Sequence, residues 1–229
     1  MNESAEFDRF ADNYREVHTK NVRGLSGADS NYFSEYKIIE IKSSLEGCKI
    51  LDFGCGDGNS AFFIQQHIKK YCYTGIDVSE ESIKKARCRN IAKSDFLPYD
   101  GCHIPFPDDS FDIVFAACVF HHIDDENHIP VPKEIHRVLK KGGKFIVFEH
   151  NPWNPLTVKI VHDCPFDEGV TLISAGKMLR KMKLSGFNGR GTCYTIFMPR
   201  KGIFKKMLSL EKLLRRLPFG GQYYCIGEK

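Results

Sequence analysis

No CxxC pair occurs among the nine cysteines of this 229-residue chain. There is also no Ser/Gly linker, no internal repeat and no long apolar run. Each absence excludes something. A zinc ribbon has no ligand set without closely paired cysteines, and nine thiols, an odd number, do not form a disulfide framework. No metal is expected, and a reducing cytoplasm is the expected compartment. The longest apolar run covers residues 113–120, far short of the roughly 18 residues that a transmembrane helix requires. The opening MNESAEFDRF is polar and acidic, so no leader is expected. A net charge of +4 is too small to make the whole molecule a polyanion binder. Hydrophobic residues at 42% and charged residues at 27% are the balance of one soluble globular domain.

Apolar spacing supplies the plan. Phe7, Phe10, Ala11, Tyr14 and Val17 fall at helical intervals, as do Tyr32, Phe33, Tyr36 and Ile39. Short apolar runs then alternate with amphipathic segments. The runs cover 49–53, 73–76, a weak stretch near Phe96, 111–115 and 144–148, with helices expected over 61–69, 80–89 and 126–139. Strands repeatedly followed by helices form a parallel sheet, because parallel neighbours need a crossover. IVFAACVF and FIVF show no polar alternation, as strands covered on both faces require. Beyond 150 the pattern predicts a Pro-rich loop, a helix over 176–185, a strand over 194–197, a basic helix and a last strand over 223–226.

The segment ILDFGCGDGN at 50–59 is an apolar strand ending in a glycine-dense turn. Gly54, Gly56 and Gly58 let backbone approach a ligand without Cβ obstruction, and the helix that follows offers its positive end. The spacing departs from the GxGxxG of dinucleotide enzymes, since position 59 is Asn, which disfavours a nicotinamide dehydrogenase. GIDVS at 75–79 closes the next strand, and Asp77 there is placed to accept both ribose hydroxyls of a nucleoside. Ser79 suits the cap of the following helix, which releases Asp77 from that task.

LDFGCGDG followed by GIDVS resembles the first two motifs of the class I S-adenosylmethionine-dependent methyltransferases. DGCHIPFPDDSFDIVF at 100–115, FHHI at 120–123 and RVLKKGGKFIVF at 137–148 are similar to later motifs of the type 11 branch. The resemblance runs from about residue 7 to 150 and implies S-adenosylmethionine as cofactor. It also implies the class I fold, a doubly wound, mostly parallel seven-stranded sheet with helices on both faces. An N-terminal helical lid over 1–46 would precede a domain over 47–229, the two making one globular unit overall. By this resemblance Gly54, Cys55 and Gly56 pack around the amino-acid moiety, and Asp52 fixes the turn and orients the ammonium. Asp77 takes the ribose, Val78 lies on the adenine face, and Asp100 with Gly101 reads the adenine edge, Asp95 competing for that part. Ala117 touches the methionine portion, and Tyr14 closes over its carboxylate.

Methyl transfer to a hydroxyl of a small-molecule acceptor is the expected reaction, by in-line displacement with water excluded. Histidine suits the accompanying proton transfer. His121 and His150 are the candidates, ahead of His122, which in the family orients a helix start near Asp124, and Glu149, which could orient a hydroxyl or the ammonium. Asn151-Pro-Trp153-Asn-Pro follows the fifth strand, so it does not match the amine-gripping motif of nucleic-acid enzymes. It could instead shape an acceptor pocket with Trp153, the 164–166 segment and Phe187, or be a plain loop. Residues 200–216 hold seven basic side chains against Glu211 alone. An apolar stripe at Ile203, Met207, Leu210, Leu214 and Leu217 lets that helix pack on the sheet or rest on an anionic membrane surface. Nucleic acid is not expected as a partner, because a single aromatic, Phe204, falls among the basic residues. The rival readings are an RNA or protein methyltransferase and a non-catalytic S-adenosylmethionine-binding module.

Overall fold

The computed structural model describes residues 27–165, 167, 169–198 and 210–229. Tyr14, the first of the two expected N-terminal helices, and most of the basic helix therefore lie outside the described residues.

The glycine turn sits where the chain first changes from strand to helix. Helix α1 (Ser30–Leu45) is capped by Asp29, whose side chain accepts from Tyr32 N. It leads into β1 (Cys48–Phe53), then α2 (Asn59–His67), β2 (Tyr71–Asp77), α3 (Glu80–Cys88) and β3 (Ser94–Pro98). After β4 (Phe111–Ala117) come two 3-10 turns, Phe120–His122 and Asp125–His128, then α4 (Pro130–Val138) and β5 (Leu139–His150). The chain closes with α5 (Pro155–His162), α6 (Ala175–Leu184), β6 (Asn188–Thr195), α7 (Glu211–Leu214) and β7 (Gln222–Glu228). Seven strands form one sheet in the order β3-β2-β1-β4-β5-β7-β6. The first five are parallel, and β7 runs antiparallel to both β5 and β6. The order reverses between β1 and β4, and in doubly wound sheets ligands bind outside the carboxyl ends of the strands at such a point.

The strand runs are apolar throughout because each strand supplies two cores. Leu51, Phe53, Val114, Ala116, Phe145 and Val147 enter one cluster with α4 and α6. The alternate residues Ile50, Ile113, Phe115, Ile146 and Phe148 enter the other with α1, α2 and α3. Each buried side chain of this size contributes about 1.5–3 kcal/mol, and the sheet is held from both sides. Ile38, Ile41 and Leu45 of α1 pack into the second cluster. The division at residue 46 therefore falls inside one packed unit.

Four expectations are corrected. The 126–139 helix is split, with a 3-10 turn at Asp125–His128 and α4 restarting at Pro130, a residue that starts a helix without losing a needed donor. The 194–197 strand lies at Asn188–Thr195 instead. It pairs on one side only and carries a register shift between Gly189 and Gly191, so its sequence shows no core-like apolar run. The fifth strand extends over Leu139–His150. The Pro-rich loop contains α5, whose start is fixed by the Asn154 side chain accepting from Thr157 N and by Pro155 at its first position.

Candidate active site

At the end of β1 the chain turns back under its own hydrogen bonds. Gly54 N and Cys55 N both donate to the Ile76 carbonyl, at 2.9 and 3.0 Å. Gly54 has φ +74°, and a Cβ built on it would stand 2.6 Å from Val119 Cγ2. Any side chain there collides with the loop after β4. Gly54→Ala is expected to cost about 2–3 kcal/mol, from left-handed strain plus overpacking. Urea unfolding checks this, and a loss below about 0.5 kcal/mol contradicts the close approach. Gly56, at φ +54°, faces the opposite situation: a Cβ would meet nothing within 4 Å. The backbone here borders open space.

Asp77 joins the two motifs. Its Oδ2 accepts from Gly56 N at 2.8 Å and its Oδ1 from Ser79 N at 2.9 Å. Ser79 itself caps α3 by accepting from Ser82 N. Asp52 is buried beneath this turn, at 1% exposure, and its Oδ2 accepts from the Tyr73 hydroxyl at 2.5 Å. Its Oδ1 has no hydrogen-bond partner among the described residues. Burial raises this carboxyl to about 7, with the Tyr73 bond opposing. A buried acceptor without a donor is costly unless a ligand supplies one, and an ammonium group fits it.

Beyond β3, Tyr99 N donates to the Asp77 carbonyl at 3.1 Å. A Cβ on Gly101 would stand 3.5 Å from Val78 Cγ1, so Val78 and Gly101 border the same space. Asp100 is exposed, and its Oδ1 accepts from Cys102 N and His103 N at 2.8 and 2.7 Å. Those amides lower its pKa. Asp95 is exposed within β3, away from the strand's carboxyl end. Ala117 is the last residue of β4, beside Phe148 of β5.

The two histidines after β4 meet the carboxylate and the histidine that end β5. Glu149 is fully buried. Its Oε1 accepts from Phe120 N at 2.7 Å, and its Oε2 lies 2.7 Å from His121 Nδ1. Both oxygens are thus engaged within the protein, and Glu149 is not left to orient an acceptor hydroxyl or the ammonium. His121 Nε2 and His122 Nε2 lie 3.6 and 3.4 Å from one oxygen, Oδ1 of Asp167. His122 therefore faces Asp167. The His150 ring stands edge-on to that of His121, with centroids 5.2 Å apart. Burial opposes the charge on His121, but the adjacent Glu149 carboxylate and the Asp167 contact prevail and raise it to about 10. Burial, reinforced by that imidazolium, holds His122 and His150 down to about 4. One imidazolium thus stands among neutral rings.

Asn151 serves the scaffold. Its amide nitrogen donates to the carbonyls of Pro218 and Gly220 at 2.9 and 2.8 Å, while its oxygen accepts from Trp153 N. Phe187 packs in the core against Phe145 and His136, so it does not line an acceptor pocket, and Trp153 is 69% exposed. Two site residues had no signal in the motifs. Asp167 lies in a loop, and Lys37 is buried on α1 with its charge acting on Asp52, Cys118 and His150.

Residues 51–147 match the family model described as "Methyltransferase domain". A fatty-acid O-methyltransferase from Mycolicibacterium smegmatis is 29% identical over 141 residues, covering 56% of this chain and 48% of that protein. Squalene methyltransferase 1 from Botryococcus braunii is 32% identical over 174 residues, covering 69% of this chain and 44% of that protein. The chain thus spans about half the length of the curated relatives it matches. In structure it is similar to a Haloferax volcanii methyltransferase solved in complex with the Trm112 methyltransferase activator. The TM-score is 0.70 at 21% identity, covering 97% of this chain and 96% of that one.

Proposed function

Because this chain belongs, through residues 51–147, to the type 11 branch of the class I methyltransferases, whose cofactor is S-adenosylmethionine, we propose that it methylates a hydroxyl of a small acceptor with an apolar tail. The observation that carries the reading is the junction at Asp77, where one carboxylate ties the glycine turn to the end of β2, with a buried Asp52 oxygen that has no hydrogen-bond partner among the described residues. S-adenosylmethionine supplies a methyl on sulfonium, a good leaving group, so the protein's task is mainly alignment and exclusion of water.

In this reading Gly54, Cys55 and Gly56 surround the amino-acid moiety and Asp52 Oδ1 receives its ammonium. Asp77, at the carboxyl end of β2, takes the ribose hydroxyls. Val78 and Gly101 flank the adenine, Asp100 Oδ2 accepts from its exocyclic amine, and Ala117 lies against the methionine portion. His150 takes the acceptor's hydroxyl proton, since among the described residues no carboxylate is within hydrogen-bond distance of its ring. His121, charged and held by Glu149, presents Nε2 to the acceptor side as a positioning group. The relatives named for fatty acid and squalene support an apolar acceptor. So do Leu213, Leu217 and Phe219, exposed by 81%, 45% and 64% beside Lys212 and Arg216, which suit contact with an anionic membrane surface.

Asp52 gives this reading a pH signature. An ammonium pairs with the ionised carboxylate, so cofactor binding requires the proton to leave. Affinity should be flat above pH 7 and fall about tenfold per unit below it, with proton uptake on release. Calorimetry in buffers of different ionisation enthalpy checks this, and pH-independent binding between pH 5.5 and 8 (about 1.5 units below to one above that midpoint) contradicts the ammonium assignment. The reaction is tested by incubating the chain with deuteriomethyl S-adenosylmethionine and cell extract. Mass-shifted ethers or esters in the organic-soluble fraction are expected. Label confined to RNA or protein would overturn the acceptor class, and no label in any fraction would favour a non-catalytic binding module.

A further inference from the structure

We infer that His121, His122 and Asp167 form a binding site for one divalent transition-metal ion of the zinc class, placed where the acceptor's oxygen must sit. The three donor atoms lie within 4.8 Å of one another. Asp167 Oδ1 stands 3.6 Å from His121 Nε2 and 3.4 Å from His122 Nε2. Around zinc, with bonds of about 2.0–2.1 Å, tetrahedral ligands are about 3.3 Å apart, so both edges already have nearly the length of a tetrahedral site.

A second observation points the same way. The remaining nitrogen of His121, Nδ1, is held by the fully buried Glu149 Oε2 at 2.7 Å. This is the carboxylate–histidine–metal arrangement, in which an outer carboxylate fixes the ring and strengthens the ligating nitrogen. The other oxygen of Glu149 fixes the backbone of the histidine turn at Phe120 N. One buried residue thus sets both the position and the ring orientation of a ligand. Two imidazoles with one carboxylate suit zinc, cobalt, nickel or iron better than magnesium or calcium, which prefer all-oxygen sites. Three protein ligands leave the fourth position open, as in catalytic sites rather than structural ones. The expectation of no metal rested on cysteine spacing, and none of these ligands is a cysteine.

The inference rests on the methyl-transfer reading for its purpose, not for its geometry. A cation beside the acceptor oxygen makes its O–H more acidic. The proton goes to His150, an oxygen lone pair forms the new O–CH3 bond, and the electron pair of the broken S–C bond stays on sulfur. No further reactant is needed.

The test uses the untagged full-length chain, stripped with chelator and titrated with Co2+ and Zn2+. The expected result is one ion per chain with the visible spectrum of tetrahedral nitrogen and oxygen ligation and no thiolate charge-transfer band. Asp167→Asn and His122→Ala should each weaken binding at least 100-fold, and Glu149→Gln by about 10–100-fold. Asp167 lies on a loop and is the variant least able to disturb folding. Wild-type affinity in Asp167→Asn, no ion in the wild type, or a thiolate band would each overturn the site. S-adenosylmethionine binding, measured on the same samples, should be unchanged in all variants. A wild-type chain that binds the metal but not S-adenosylmethionine would count against the methyl-transfer reading alone, and one that binds S-adenosylmethionine but no metal against the metal site alone.

Discussion

His150→Ala is expected to lower turnover by about 100-fold, the lower end of what a positioned proton acceptor supplies, while S-adenosylmethionine affinity stays within about twofold. The separation of the two effects follows from position. His150 ends β5, which β4 separates from β1 and the glycine turn. It does stand against His121, at the mouth formed by the β4 and β5 loops. Removing the ring leaves the Glu149 bonds to Phe120 N and His121 in place, so the histidine turn should keep its shape. His121→Ala provides the contrast. It strips Glu149 of its partner and leaves a fully buried carboxylate with only the Phe120 amide, so loss of stability should accompany loss of activity. Steady-state kinetics with thermal melts on both variants separate these outcomes. Unchanged turnover in His150→Ala would remove it as the proton acceptor.

Asp77→Ala should weaken S-adenosylmethionine binding by about 1–3 kcal/mol, roughly 5–150-fold, the cost of charge-assisted hydrogen bonds left unmade. Two losses combine here. The carboxylate no longer meets the ribose, and Gly56 N and Ser79 N lose the acceptor that ties the turn to the start of α3. Asp77→Asn divides them. Its remaining oxygen can hold one of the two amides, so the turn should survive while the ribose contact weakens, giving a deficit near tenfold. Titration calorimetry on variants with matched melting temperatures reads both. Wild-type affinity in Asp77→Ala would refute the ribose assignment.

The parts of this molecule that follow from local chemistry were readable along the chain. Unbroken runs such as IVFAA announced strands covered on both faces, and their alternate residues do divide between two cores. The glycine turn and Asp77 are separated by 21 residues in their hydrogen bond, yet each was legible from its own neighbours, because a strand ending in glycines or in a carboxylate has few other uses. What was hidden depended on partners distant in sequence. His121 meets Glu149 across 28 residues and Asp167 from a loop with no motif of its own. Their pairing separates His121 from His150 chemically, and nothing in FHHI or EH foretells it. Phe187, grouped with the acceptor-pocket residues, instead fills the core, its ring against Phe145 and His136. β6 was expected at 194–197, too late in the chain, because a one-sided edge strand with a glycine irregularity has no apolar period to mark its start. α5 was detectable in principle, since Asn154 and Pro155 are ordinary helix-start residues, but the surrounding prolines disguised it.

A crystal of the chain soaked with S-adenosylhomocysteine puts the whole account at risk in one measurement. The account predicts density along the carboxyl ends of β1 and β2, the ribose hydroxyls on Asp77, the amino group at Asp52 Oδ1 and the adenine between Val78 and Gly101. Density placed elsewhere, or a soaked site with these contacts empty, would contradict it.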